Sequence, residues 1–361
     1  MIVFHGSATQ IYTSGGTLSG TINFIVGEGS NLPTLQMGTG ASPSVISGGS
    51  DGTFNILPGA TLGITSPDGI SASGAAGNIQ LTGTRSFNAG AYYLYCGTAN
   101  QVTGTGFPTD LSGRIIINNT GAAGNNTVTL DDSRTIANGG SVDLVAGVFN
   151  AATNLTMAST SSINRSAGVL TGTPQGAGLY NVNYSGNSVT TADELTGTGL
   201  NSIGVALSSG QTLTPDQSWT LAGDLSVTSG ILDLGSYTFN RALAGGTLTI
   251  SDGAVLRIGG TNTLPANYDA HTLGATSTVE YYGGDQTISA GTYGHMVLSG
   301  TGAKTITSGT AVTVQGDLTT GDMLIIDTES LSSNASLILT GNATASITYN
   351  RQLNTEPGTA D

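Results

Sequence analysis

Apolar residues alternate with Thr, Ser or Asp for a few positions, a turn dipeptide intervenes, and the alternation resumes, over almost the whole chain. Residues 225–258 show the scheme most clearly. Leu225 and Val227 lead into Thr228-Ser229-Gly230, then Ile231-Leu232-Asp233-Leu234-Gly235, then Tyr237 and Phe239. After Gly245-Gly246 come Leu248 and Ile250, then Ser251-Asp252-Gly253, then Leu256 and Ile258. A period of two marks a strand with one buried face. Gly-Gly, Ser-Gly and Asp-Gly mark turns, because Gly takes positive φ without steric cost. Strand, turn, strand, turn, with nothing helical between, predicts stacked short strands.

The same reading covers the other segments. Residues 1–40 contain Ile11-Tyr12, Gly15-Gly16 and Ile22-Asn23-Phe24-Ile25-Val26. Residues 44–84 place Phe54, Ile56, Leu62 and Ile64 between turns at Pro58-Gly59 and Asp68-Gly69. No helix is expected: residues 180–215 are too rich in Gly, Thr and Asn, and their apolar positions do not recur at 3.6.

Internal repetition is the strongest signal. The run from Tyr95-Cys96-Gly97 to Gln101-Val102-Thr103-Gly104 matches the run from Tyr281-Tyr282-Gly283 to Gln286-Thr287-Ile288. Each leads into an apolar strand and a Gly: Arg114-Ile115-Ile116-Ile117 before Gly121, and His295-Met296-Val297-Leu298 before Gly300. Tyr180-Asn181-Val182-Asn183-Tyr184 before Gly186 is a third such strand. A second element recurs as Gly147-Val148-Phe149-Asn150, Gly230-Ile231-Leu232-Asp233 and Gly321-Asp322-Met323-Leu324, each followed by a similar tail (155–170, 243–258 and 331–339). The expected organisation is one continuous solenoid over 1–346, with degenerate repeats at about 1–110, 111–179, 180–292 and 293–346. A final strand and an irregular tail are expected over 347–361.

Two architectures suit short stacked strands. A parallel β-solenoid would wind about 20–25 residues per coil, roughly 15 coils about 4.8 Å apart. A row of immunoglobulin-like sandwiches would give about three or four domains. A sandwich core carries aromatic anchors, yet Trp219 is the only Trp and Phe occurs 7 times. The composition therefore favours the all-β parallel β-helix or β-solenoid, with Gly/Thr/Ser/Asn-rich turns and a narrow core of inward Val, Ile and Leu. No amphipathic cap is evident at either end. The expectation is a chain belonging to something longer, or ends that pair with a partner.

Composition narrows the function. Charged residues are 8%, where about 25% is typical. The formal net charge is −14, from 22 acidic and 8 basic residues. That argues against nucleic acid, which is held by Lys and Arg on phosphates, and against an anionic membrane surface. No apolar run approaches the roughly 20 residues of a membrane-spanning helix. Met1-Ile2-Val3-Phe4-His5 lacks the features of a signal peptide, so an exported chain would be a mature fragment or an internal piece. Cys96 is the only cysteine, which excludes an intrachain disulfide; a buried inert thiol is the expected state.

Residues 52–64, 101–119 and 230–238 carry a resemblance. Gly52-Thr53-Phe54-Asn55-Ile56-Leu57-Pro58-Gly59, Gln101-Val102-Thr103-Gly104-Thr105-Gly106-Phe107-Pro108 and Gly230-Ile231-Leu232-Asp233-Leu234-Gly235 resemble β-strand-repeat regions of large secreted surface proteins of Bacteroidetes-type bacteria. The resemblance runs from about residue 44 to 350. It implies type IX secretion cargo, display at the cell surface, and an adhesin-like or structural role. It implies no catalytic residues.

Candidate chemistry is sparse. Gly48-Gly49-Ser50-Asp51-Gly52 matches Gly-x-Ser-x-Gly but lacks the strand–turn–helix context and a nearby His. His5, His271 and His295 show no zinc spacing, and His295 reads as structural. The acidic groups are Asp131-Asp132, Asp193-Glu194 and Asp317, Asp322 and Asp327; clustered carboxylates would suit a polysaccharide-degrading β-helix. Asp51-Gly52, Asp68-Gly69 and Asp252-Gly253 read as turns before calcium ligands. Thr103/Thr105, Thr171/Thr173 and Thr305/Thr307 would form an ice-binding face only if stacked outward. Tyr92, Tyr93 and Tyr95, or Tyr281 and Tyr282, are candidates for stacking on sugars. The expected function is an extracellular stalk or fibre subunit with no cofactor, no metal and no catalytic residue. Its expected partners are copies of itself, end to end, or a glycan or neighbouring cell surface; the alternative is a carbohydrate-binding or polysaccharide-degrading β-helix.

Overall fold

The computed structural model describes residues 1–351 apart from 17, 49, 322, 329–332 and 345. The tail from 352, Gly49, Asp322 and residues 331–332 of the last repeat tail therefore lie outside the described residues. The chain divides into two units, Met1–Asn183 with Ala192–Asn201, and Tyr184–Thr191 with Ser202–Asp361.

Each unit is a stack of short parallel strands, the predicted all-β solenoid. In the first unit Thr34–Thr39, Thr61–Ile64, Tyr92–Tyr95, Arg114–Asn118, Ser141–Ala146 and Ser162–Arg165 follow one another in parallel ladders. In the second, the eight-stranded sheet runs from Val189–Thr190 through Ile231–Asp233, Val255–Ile258 and Thr278–Tyr281 to Ala343–Thr344. Among the described residues, Ser42–Pro43 is the one antiparallel strand, folded back on Thr34–Thr39. Among the described residues the one helical element is a short 3-10 turn, Asp193–Leu195, where no helix was expected.

Register turns alternation into a core. Leu35, Leu62, Tyr93, Ile115, Val142 and Ile163 stand in one inward row, all buried. Beside it run Ile64, Tyr95, Ile117, Leu144 and then Arg165. In the second unit Leu213, Leu232, Leu256, Val279, Met296 and Leu318 form the equivalent row. The sequence distance between neighbours in a row varies, from 17 residues (Val279 to Met296) to 31 (Leu62 to Tyr93). Unequal loops between equal strands explain why the repeats are degenerate.

The repeat around Tyr95 and Tyr281 has a specific cause. Gln101 and Gln286 are both buried, and each locks a corner in the same way. The Gln101 Oε1 accepts the Gly97 N–H and its Nε2 donates to the Ile64 carbonyl. The Gln286 Oε1 accepts the Gly283 N–H and its Nε2 donates to the Ile258 carbonyl. Ile64 and Ile258 are the parallel partners of Tyr95 and Tyr281. One side-chain amide thus satisfies main-chain groups that the turn removes from the ladder.

The core is the expected aliphatic one, with buried tyrosines set into it. Its largest fully buried side chains include Tyr93, Tyr95, Tyr180, Tyr184, Tyr281 and Tyr293. Each long ring needs a hydroxyl partner, and the coil corners supply main-chain oxygens. Tyr95 donates to Thr103 O (2.8 Å), Tyr93 to Asn88 O (2.8 Å) and Tyr293 to Ser289 O (2.7 Å). Burial pushes the phenols of Tyr93, Tyr95, Tyr180, Tyr268, Tyr281 and Tyr293 upward. A raised folded-state pKa leaves stability intact below the unfolded value near 10 and removes it as pH rises beyond. Alkaline titration followed by tyrosinate absorbance is therefore expected to show these rings ionising only together with loss of the strand signal in circular dichroism. Their smooth ionisation in the folded protein would contradict the buried placement.

Candidate functional site

Charged side chains are few, and in the second unit the ladder gathers three of them into one outward row. Asp233 pairs in register with Arg257, and Arg257 with Glu280. Neighbouring coils are one strand spacing apart, so the guanidinium reaches both carboxylates. Arg257 Nη1 lies 2.8 Å from Asp233 Oδ2, and its Nε lies 2.7 Å from Glu280 Oε2. The Tyr282 ring lies under the guanidinium, 4.6 Å from Cζ to centroid, and its hydroxyl donates to Asp233 Oδ1 at 2.6 Å. Ser299 Oγ donates to Glu280 Oε1 at 2.7 Å. Burial and the bond to Asp233 push the Tyr282 phenol up to about 12. The hydrogen bond from Arg257 to Glu280 holds the guanidinium above its ordinary value.

Every carboxylate oxygen in this cluster has a partner, since Asp233 Oδ1 also accepts the Gly235 N–H. A glycosidic general acid must keep a proton, and its partner must face the sugar. Asp233 and Glu280 instead grip one cation between them. The arrangement ties three coils together and orients no group toward a substrate.

The first unit carries a related outward cluster. The Arg114 guanidinium lies over the Tyr92 ring at 5.2 Å and 3.5 Å from Asp143 Oδ2. Asn164 Nδ2 then donates to Asp143 Oδ1 (2.7 Å), and Asn183 Nδ2 to Asn164 Oδ1 (2.9 Å). This is an amide ladder along successive coils, with each side chain satisfying the next.

The tyrosines singled out for sugars fall into two groups. Tyr93, Tyr95 and Tyr281 are core residues and present no surface. Tyr92 and Tyr282 face outward but each has an arginine over its ring. The Tyr282 ring also lies close to Gly259, whose added Cβ would stand 3.0 Å from the ring Cζ.

The acidic pairs do not converge. Asp131 accepts the Thr103 hydroxyl and the Gly104 N–H, while Asp132 pairs with Arg134. Asp193 accepts the Gly172 N–H, and Glu194 is buried against Arg165. Asp317 accepts from the main chain and side chain of Asn342. Its own N–H donates to His295 Nδ1 at 2.9 Å, the structural role expected of that histidine. Gly69 and Gly253 take positive φ as turn residues, and the Asp252 carboxylate accepts the Thr276 N–H. Among the described residues no three His, Cys, Asp or Glu side chains gather as metal ligands. Thr103 is fully buried, so its pair with Thr105 is no outward face. Ser50 is exposed, and no helix follows it among the described residues. Cys96 is half-buried rather than buried, and desolvation pushes its thiol up to about 11, which keeps it protonated near neutrality.

The reading of the sequence missed the Asp233–Arg257–Glu280 row. Its only trace is an acid, a base and an acid each one coil apart, and irregular coil lengths hide that spacing. Among the described residues, no helix is long and apolar enough to cross a membrane. Compared with family models, curated proteins and solved structures, the chain matches none.

Proposed function

We propose that this chain is an extracellular structural or adhesive segment of a bacterial surface protein, a stalk or a fibre subunit, of the kind exported as type IX cargo. One observation carries the reading: the charged and amide side chains that gather on the outward rows are spent on one another, coil to coil. Asp233, Arg257, Glu280 and Tyr282 form one such clasp, and Arg114, Asp143, Asn164 and Asn183 another. Such clasps resist separation of neighbouring coils, which is the demand on a load-bearing solenoid. The sparse charge and the hydroxyl-rich composition suit exposure outside the cell, and the resemblance of residues 44–350 points the same way. In this reading the chain does no chemistry, and its partners are further copies or a neighbouring cell surface.

The test is electron microscopy of the purified native protein without added ligand, with polysaccharide hydrolysis assayed in parallel. Ordered fibres support the fibre subunit, and isolated thin particles support the stalk. Compact beads, or release of reducing sugar, would overturn the reading.

A further inference from the structure

Arg114, Arg134, Arg165 and Arg257 each lie against a carboxylate. Arg85, at the start of the strand Arg85–Phe87 in the first unit, does not. Its Nε donates to Leu81 O at 2.8 Å, Nη1 to Ser71 O at 2.9 Å and Nη2 to Gly74 O at 2.5 Å. These three carbonyls fix the plane of the guanidinium. A guanidinium has five N–H donors, so one remains on each terminal nitrogen. Partial burial lowers the guanidinium below its ordinary value. Asp51, whose main-chain N–H donates to Thr82 Oγ1 (3.0 Å), forms no ion pair with Arg85. Among the described residues of a chain of net charge −14, this partly exposed cation forms no ion pair.

The guanidinium also borders open space. Arg85 lines a cavity of about 370 Å³ with Ser73, Gly74, Gln80, Leu81 and Thr82. That volume falls in the range of small-molecule sites, about 300–1,000 Å³. The lining mixes a hydroxyl, an amide and an aliphatic side chain around one fixed cation. A Cβ added at Gly74 would meet nothing within 4 Å, so the wall there is open.

We propose that this cavity is a binding site for a small acidic saccharide, whose carboxylate or sulfate takes the two remaining N–H donors of Arg85. Planar two-point recognition of an oxyanion is what a pre-oriented guanidinium does best. Ser73, Gln80 and Thr82 line the remainder of the space beside Leu81, which suits a ring with polar edges and an apolar face. The proposal is independent of the stalk or fibre reading, since it concerns one cavity of the isolated chain.

The test is titration of the full chain with galacturonate, galactose 6-sulfate and galactose, read by calorimetry and by NMR. One or both acidic sugars are expected to bind at least about tenfold more tightly than galactose, and the preferred one identifies the anion. Arg85→Gln is expected to lose that preference. Because Arg85 also holds its loop, Ala75→Glu serves as the second variant. Ala75 is an exposed cavity-lining residue, and the added carboxylate competes for the guanidinium while leaving it in place. It is expected to weaken binding about tenfold or more with unchanged circular dichroism. Equal binding of galactose, no binding at about 10 mM, or full binding by Ala75→Glu would overturn the proposal. Inorganic sulfate binding as tightly as the sugars would overturn the saccharide assignment.

Discussion

Arg165→Ala is expected to destabilise the first unit by about 3–5 kcal/mol, far more than loss of an exposed arginine. The reason is register. Arg165 stands in the inward row after Ile64, Tyr95, Ile117 and Leu144, where an aliphatic side chain belongs. Its side chain is 6% exposed and that of Glu194 is 0% exposed, with Nη1 to Oε1 at 2.6 Å. Glu194 comes from the short 3-10 turn Asp193–Leu195, and its Oε1 also accepts the Ala192 N–H at 3.1 Å. Arg165 Nε is bound to Gly168 O at 2.8 Å. Removing the guanidinium takes the cation away from a carboxylate whose side chain is fully buried. Replacing both partners, Arg165→Met with Glu194→Leu, removes the charges together and is expected to recover most of the loss. Urea unfolding by circular dichroism measures the effect. Hydrogen exchange at Ser162–Arg165 should show it first, because solenoid coils exchange stability with their neighbours only. A single variant within about 1 kcal/mol of the parent would refute the buried pairing.

Gly283→Ala is expected to cost about 3 kcal/mol, while the same change one residue later is harmless. Gly283 is the corner that Gln286 locks, and it packs on the coil before it. A Cβ there would stand 1.9 Å from the Gly260 carbonyl oxygen and 2.7 Å from both Gly260 C and N. These are ladder atoms held by their own hydrogen bonds, including Gly284 N to Gly260 O at 2.9 Å, and they cannot move aside without parting the coils. At Gly284 the nearest atom to an added Cβ is Thr301 O at 3.7 Å, an ordinary contact. Gly284→Ala is expected to be neutral or to stabilise by up to about 1 kcal/mol, through lost freedom in the unfolded chain. Thermal melts of the two variants side by side decide the matter. Equal effects would mean that these two coils do not approach as closely as the stacking requires.

The class of fold was legible because one physical rule acts at short range. Alternation in residues 225–258 puts Leu225, Val227, Leu232, Leu248, Ile250, Leu256 and Ile258 inside, and all of them are buried. The Tyr95–Gln101 and Tyr281–Gln286 repeat was visible as letters, and its meaning, a buried amide locking a corner, needed the register. The 3-10 turn at Asp193–Leu195 was not legible. No helical period announces so short an element, and its purpose is to deliver Glu194 to a cation in the core. The tyrosines misled in part, since Tyr93, Tyr95 and Tyr281 looked available to sugars. Alternation alone says that Tyr92 and Tyr93 face opposite ways, and which one is inside depends on the strands beside them.

The sequence by itself determined the strands, the turns, the sparse charge and the stacking of parallel coils, because each follows from neighbours a few residues apart. Only the tertiary structure decided which charges meet. Asp233, Arg257 and Glu280 are joined by coil length, and Arg165 and Glu194 by a turn 29 residues away. Arg85 faces a cavity, with no ion pair among the described residues, because the loop of residues 71–83 folds its carbonyls onto the guanidinium. In a solenoid with unequal loops, the vertical neighbour of a residue is set by the summed geometry of a whole coil. No local pattern encodes that sum, so the core was readable along the chain and the side-chain clusters only across it.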